Sequence, residues 1–146
     1  MMESVEFSIT LSSQYTEQSG VPMIEIFLDD ECIVGLTVIN KQKTITFTLE
    51  LGENKSHKLR LRRSGHDEIN EQSVTIEKIT VDKIDLKRHL DHVCFYPVYP
   101  KDWYNDQVSL NNTPPEMQKG WITFGFNGTW EMPFTTPFYT WLLGTV

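Results

Sequence analysis

The stretch MIEIFLDDECIVGLTVI (residues 23–39), with TITFTLEL (44–51), HKLRLRR (57–63) and VTIEKITVDKIDL (74–86) after it, decides the fold. Apolar and polar residues alternate through most of it. Successive side chains of a strand point to opposite faces, so a period of two sorts them into an inner and an outer set. Ile45, Phe47, Leu49 and Leu51 form one set, and Thr44, Thr46, Thr48 and Glu50 the other. Leu59 and Leu61 point inward while Lys58, Arg60 and Arg62 point outward. Asp29-Asp30-Glu31 is a tight acidic turn that makes 23–39 a hairpin. The alternation of 74–86 slips between Ile76 and Ile79, which predicts one long strand with a bulge near Glu77 and Lys78. Runs of this kind, closely spaced and punctuated by turn residues, predict a stacked antiparallel sheet rather than helices.

Outward from that ladder, Val5, Phe7, Ile9 and Leu11 alternate with polar residues and predict a half-buried first strand. Residues 12–20 and 64–73 are polar and read as loops, and Lys87 to His92 as a single helical turn. The texture changes at Val93. VCFYPVYPKDWYNDQ (93–107) mixes prolines with aromatics, and SLNNTPPEMQKG (109–120) is a connector stiffened by Pro114 and Pro115. In GWITFGFNGTWEMPF (120–134), two aromatic runs flank Asn127-Gly128, a pair suited to a tight hairpin turn. Pro133 and Pro137 limit the chain beyond them to edge strand or loop, and PFYTWLLG (137–144) reads as a short strand or one turn. The expected organisation is an all-β, jelly-roll-like antiparallel sandwich over residues 1–92. An aromatic hairpin extension over 93–146 packs on that core or on a neighbouring subunit.

The 146 residues suit one domain with a core of its own. A net charge of −7 repels phosphates and argues against nucleic-acid binding. No run is long and apolar enough for a membrane span, and MMESVEFSIT lacks the basic and apolar regions of a signal peptide. Cys32 and Cys94 form no CxxC pair, so no zinc site is expected; free buried thiols are. Aromatics make up 12% of the chain, more than one small core needs.

The residue-level candidates for chemistry are few. No nucleophile elbow, metalloprotease, P-loop or dinucleotide motif occurs, and no enzyme is expected. Ser64, His66 and Asp67 are too close in sequence to converge as a triad. His89 and His92 lack a third ligand and read as a surface turn. Acidic residues at Asp29 and Asp30, or at Asp67 and Glu68, are the candidate calcium ligands, because calcium takes carboxylate and carbonyl oxygens. Tyr99, Trp103, Tyr104, Trp121, Trp130 and Trp141 are the candidate contacts to a partner or a glycan.

The order of strands resembles the small jelly-roll sandwiches of calcium-dependent, xylan-type carbohydrate-binding modules. The likeness rests on PMIEIFLDDECI (22–33), on Gly52 to His57 after TITFTLEL, and on Ile79-Thr80-Val81-Asp82-Lys83-Ile84. It implies calcium held by loop carboxylates, with Asp67 first in line and sugar hydroxyls completing the shell. The tail GWITFGFNGTWEMPFTTPFYTWLLG (120–144) resembles the ends of small structural proteins of tailed bacteriophages. Together these likenesses lead to the expectation of a multi-copy or homo-oligomeric virion accessory protein, made in the host cytoplasm and bound to other virion proteins. The alternative is a calcium-dependent module that adheres to a cell-surface glycan.

Overall fold

The computed structural model describes residues 2–16, 20–66 and 71–144. The strands are β1 (Met2–Gln14), β2 (Met23–Leu28), β3 (Glu31–Val38), β4 (Gln42–Gly52), β5 (Ser56–Ser64), β6 (Ser73–Val81), β7 (Ile84–Asp85), β8 (Cys94–Val98), β9 (Gln118–Lys119), β10 (Thr123–Phe124) and β11 (Asn127–Thr135). A 3-10 turn spans Lys87–His92, and the helices are α1 (Lys101–Ser109) and α2 (Phe138–Gly144). One sheet runs β10–β6–β1–β4 with β7 paired to β6; the other runs β3–β2–β5–β11–β8–β9. Pairings are antiparallel throughout. This is the all-β sandwich that the alternation predicts.

The inward sets meet as expected. Val5, Phe7, Ile9 and Leu11 of β1 are fully buried, as are Leu59 and Leu61 of β5. Ring contacts tie the layers together. Phe7, stacked on Phe47 within its own sheet at 5.4 Å, meets Phe134 of the other sheet at 6.5 Å, and Phe95 of one sheet stacks on Phe124 of the other at 4.6 Å. Removing such side chains from water supplies about 1.5–3 kcal/mol each. The predicted bulge is present. Thr10 pairs with Lys78 but Leu11 pairs with Ile76, so Glu77 is the extra residue.

Several expectations are corrected. Residues 74–86 are not one strand: β6 ends at Val81, and Asp82 and Lys83 take left-handed φ values of 48° and 70°. Two such residues in succession make a tight turn into β7. Asp82 is held there because its Oδ1 accepts from the Glu6 amide at 2.8 Å. Asn127-Gly128 is not a hairpin turn either, because β10 belongs to one sheet and β11 to the other. The Asn127 side chain instead accepts from Arg63 Nη1 at 2.8 Å and from the His66 amide at 3.0 Å. Gly128 lets β11 press against β8; a Cβ there would lie 2.4 Å from the Tyr96 carbonyl oxygen.

Nor does the chain divide near residue 92. β11 lies between β5 and β8, inside its sheet, and Trp130, Met132, Phe134 and Phe138 belong to the common core. Pro133 is tolerated in this interior strand because pairing with β8 stops at Glu131, so its missing N–H leaves no ladder bond unmade on that side. Residues 101–109, within the stretch read only as a mix of prolines and aromatics, form α1, and the final apolar run forms α2. Cys32 and Cys94 are free, but Cys32 is exposed on edge strand β3 and Cys94 is only partly covered. Among the described residues, no helix is long and apolar enough to cross a membrane.

Candidate functional site

The strand register sends the candidate residues to opposite ends of the sandwich. Thr135 of β11 faces Ser56 of β5 at one end, and Gly128 faces Arg63 at the other. Asp29, Asp30 and Trp141 belong to the first end, and Tyr99, Trp103 and Tyr104 to the second.

At the second end, aromatic side chains assemble from separate elements. Pro100, with its fixed φ, opens α1, and the helix carries Trp103 and Tyr104. The chain crosses between the sheets just before β11 and offers Phe126 there. Ring centroids lie 5.0 Å apart for Trp103 and Phe126, 4.9 Å for Tyr99 and Phe126, and 5.9 Å for Tyr99 and Tyr104. The Tyr99 hydroxyl donates to the Pro115 carbonyl at 2.6 Å and ties the long connector down. Burial, then the neighbouring Tyr104, raises the Tyr99 phenol above its usual pKa, so it stays protonated and able to donate. Trp103 is 38% exposed. With Phe126 and Pro100 it lines a cleft of about 700 Å³, whose other walls carry Gln14, Tyr15, His66, Glu71 and Gln72.

Beneath the cleft lies Arg63, only 1% exposed. Its guanidinium donates to Asn127 Oδ1 at 2.8 Å and to Gln72 Oε1 at 2.7 Å, and Nε has no partner. Gln72 in turn donates to the carbonyls of Gly20 and Gly65 at 3.0 and 3.2 Å. One buried cation thus fastens three connections around the cleft. Burial without a carboxylate partner pulls Arg63 down to about 10.

At the first end, a cleft of about 560 Å³ is lined by Asp29, Asp30, His57, Arg60, Phe134 and Trp141, among others. His57 Nδ1 donates to Asp29 Oδ2 at 2.8 Å, and the Lys58 amide donates to Asp29 Oδ1 at 2.8 Å. Burial opposes the charge on Asp29, but the bonds from His57 and Lys58 and the charges of His57 and Arg60 prevail and lower its pKa. Arg60 bonds Asp30 at 3.1 Å and Glu131 at 3.0 Å.

Both carboxylate oxygens of Asp29 accept bonds, from His57 and Lys58, whereas the exposed Asp30 is bonded only through Oδ1, to Arg60. Asp67 and Glu68 lie outside the described residues. Among the described residues, no group of three or more His, Cys, Asp or Glu could hold a metal. His89 is buried, with Nε2 2.9 Å from the Leu142 carbonyl, so it serves packing rather than a surface turn.

The aromatic candidates divide in the same way. Trp130 is fully buried and presents no contact surface, because its alternating position faces the core. Trp121 is 46% exposed but lines neither cleft, whereas Trp103 and Trp141 line one each. Phe126, Tyr15, Gln72 and Arg63 are functional candidates that the sequence reading missed. For Arg63 a signal existed: it continues the inward parity of Leu59 and Leu61.

Two solved structures are similar to this chain. One is the selenomethionine form of vCBM60, described with two circularly permuted families of calcium-dependent carbohydrate-binding modules. It has a TM-score of 0.53 and 9% identity, over 87% of this chain and 88% of that one. The other is vCBM60 in complex with galactobiose, with a TM-score of 0.47 and 10% identity, over 86% of this chain and 95% of that one. No protein-family model and no curated protein matches the chain. The fold is thus a β-sandwich of the carbohydrate-binding-module kind.

Proposed function

We propose that the chain is a non-enzymatic carbohydrate-binding module that takes sugar in the cleft of Trp103 and Phe126. The observation that carries this reading is the convergence of exposed aromatic surface with amide, carboxylate and imidazole groups in one open cleft. A pyranose ring has apolar C–H faces and a polar rim. Aromatic rings suit the faces, and planar polar side chains suit the hydroxyls. Trp103 supplies stacking surface, Gln14 and Glu71 supply hydrogen bonds, and Arg63 fixes the frame of the cleft through Gln72 and Asn127.

The test is retardation in gels containing soluble xylan, galactan or β-glucan. Wild-type protein is expected to be retarded by at least one of them. Trp103→Ala, on an exposed helix face, is expected to weaken the retardation at least fivefold. Retardation unchanged by that substitution would remove the assignment. Repeating the gels with calcium and with a chelator tells whether sugar is held by the cleft side chains alone or also through a cation at Asp67 and Glu68.

The second reading, a multi-copy virion accessory protein held by protein contacts, cannot use Trp130 as its anchor. It would instead use edge strand β3, where Leu36 is 58% and Val38 47% exposed. Light scattering is then expected to show concentration-dependent oligomers that Leu36→Lys disperses.

A further inference from the structure

The cleft at the opposite end has features that the proposed sugar site does not use. Trp141 packs on Phe134 and Phe138, at 6.1 and 5.5 Å between centroids, and is only partly covered by them. Its uncovered part helps to line the cleft. The charged groups there are paired off: Asp29 with His57, Arg60 with Asp30 and Glu131. Lys58 lies 3.7 Å from Glu131. A cleft so balanced offers little net attraction to an ion, but many oriented donors and acceptors to a neutral polar molecule. His57 adds an unmet one. Its Nδ1 bonds Asp29, and its Nε2 is buried with no partner. A buried polar atom left without a partner is rare and calls for a physical reason.

We infer that this cleft, with Trp141 as its aromatic wall and His57, Asp30 and Arg60 as its polar wall, is a second binding site for an uncharged hydroxylated ring. The chain is then bivalent for polysaccharide. His57 stands near the start of β5 and His66 two residues past its end, so the extended strand keeps the two clefts roughly 25 Å apart. Sites so far apart, at opposite ends of a rigid sandwich, do not close on adjacent sugars. They hold two chains, or distant segments of one, and so cross-link. This inference rests on the proposed sugar binding, but on different residues.

The experiment uses the full chain, confirmed as a monomer by light scattering, with beads coated in the xylan or galactan that retards it. Thr135 is exposed and lines the second cleft, so Thr135→Trp fills the cleft without emptying the core. Trp141→Ala removes its aromatic wall. Wild-type monomer is expected to agglutinate the beads. Trp103→Ala, Thr135→Trp and Trp141→Ala are each expected to raise the concentration needed at least tenfold. The retardation left in Trp103→Ala is expected to vanish when Thr135→Trp is added. Agglutination that survives Thr135→Trp and Trp141→Ala, or a wild-type monomer that is retarded but never agglutinates, overturns the second site and leaves the first standing. Retardation removed by Thr135→Trp but untouched by Trp103→Ala overturns the first and keeps the second. A protein that no polysaccharide retards overturns both.

Discussion

Asp29 has a left-handed backbone, with φ of 54°, at the turn between β2 and β3. Such a conformation costs free energy for a residue with a Cβ and persists where neighbours fix it. Here the carboxylate takes bonds from His57 and Lys58, while the Asp29 carbonyl accepts from Arg60 at 3.2 Å. Asp29→Ala is expected to lower stability by about 1–2 kcal/mol in urea unfolding, the lower end of charge-assisted bonding because the side chain is half exposed. The lowered pKa of Asp29 sets the pH sign. Its contribution is present above the ordinary value of 3.8 and is lost as pH falls through the folded value. Tyr139 has the opposite sign. Its hydrogen bond to Asp82, then burial, raises the phenol from 10.0 to about 12. The folded state therefore gains from the neutral phenol below pH 10 and loses that gain as pH climbs from 10 to 12. Thermal melts across that window are expected to fall more steeply for the wild type than for Tyr139→Phe.

At the scale of elements, β11 organises the molecule. It pairs with β5 from Gly128 to Thr135 and with β8 from Asn127 to Glu131. Its tightest point is Gly128, where an added Cβ would meet the Tyr96 carbonyl oxygen at 2.4 Å and Phe95 Cζ at 2.9 Å. Gly128→Ala must push β8 away and is expected to cost about 1–3 kcal/mol in urea unfolding, the range of overpacked cores. The same pair, Asn127-Gly128, shows how local sequence misleads. Its composition is that of a hairpin turn, yet Asn127 bonds Arg63 and His66, and Gly128 admits β8. Turn propensity is a local preference, and those long-range contacts outweigh it. α1 was hidden for a related reason: its residues bury no apolar face, so no helical period shows in the sequence.

At the scale of the molecule, the two sheets share one core, and neither sheet is complete without residues beyond 92. β10 lies at the edge of one sheet, and β8, β9 and β11 belong to the other. A fragment of residues 1–92 would leave β5 unpaired on one side and the core open where Trp130, Phe134 and Phe138 stand. It is expected to lack a cooperative urea transition and the near-ultraviolet dichroism of packed aromatics. The long strands β5 and β11 also set the distance between the two clefts, so the rigidity of the core carries over to the spacing of the sites.

The sequence alone determined the sandwich, the inward sets of β1, β4 and β5, the hairpin at Asp29-Asp30 and the bulge at Glu77. These are local alternations, and a period of two can be read without knowing which strand is the neighbour. Only the tertiary structure decided that Trp130 is core, that Arg63 is buried among amides, and that Trp103 and Trp141 stand at opposite ends. Those outcomes depend on which strands pair and in what register, and pairing joins residues such as His57 and Phe134 that lie far apart in the chain.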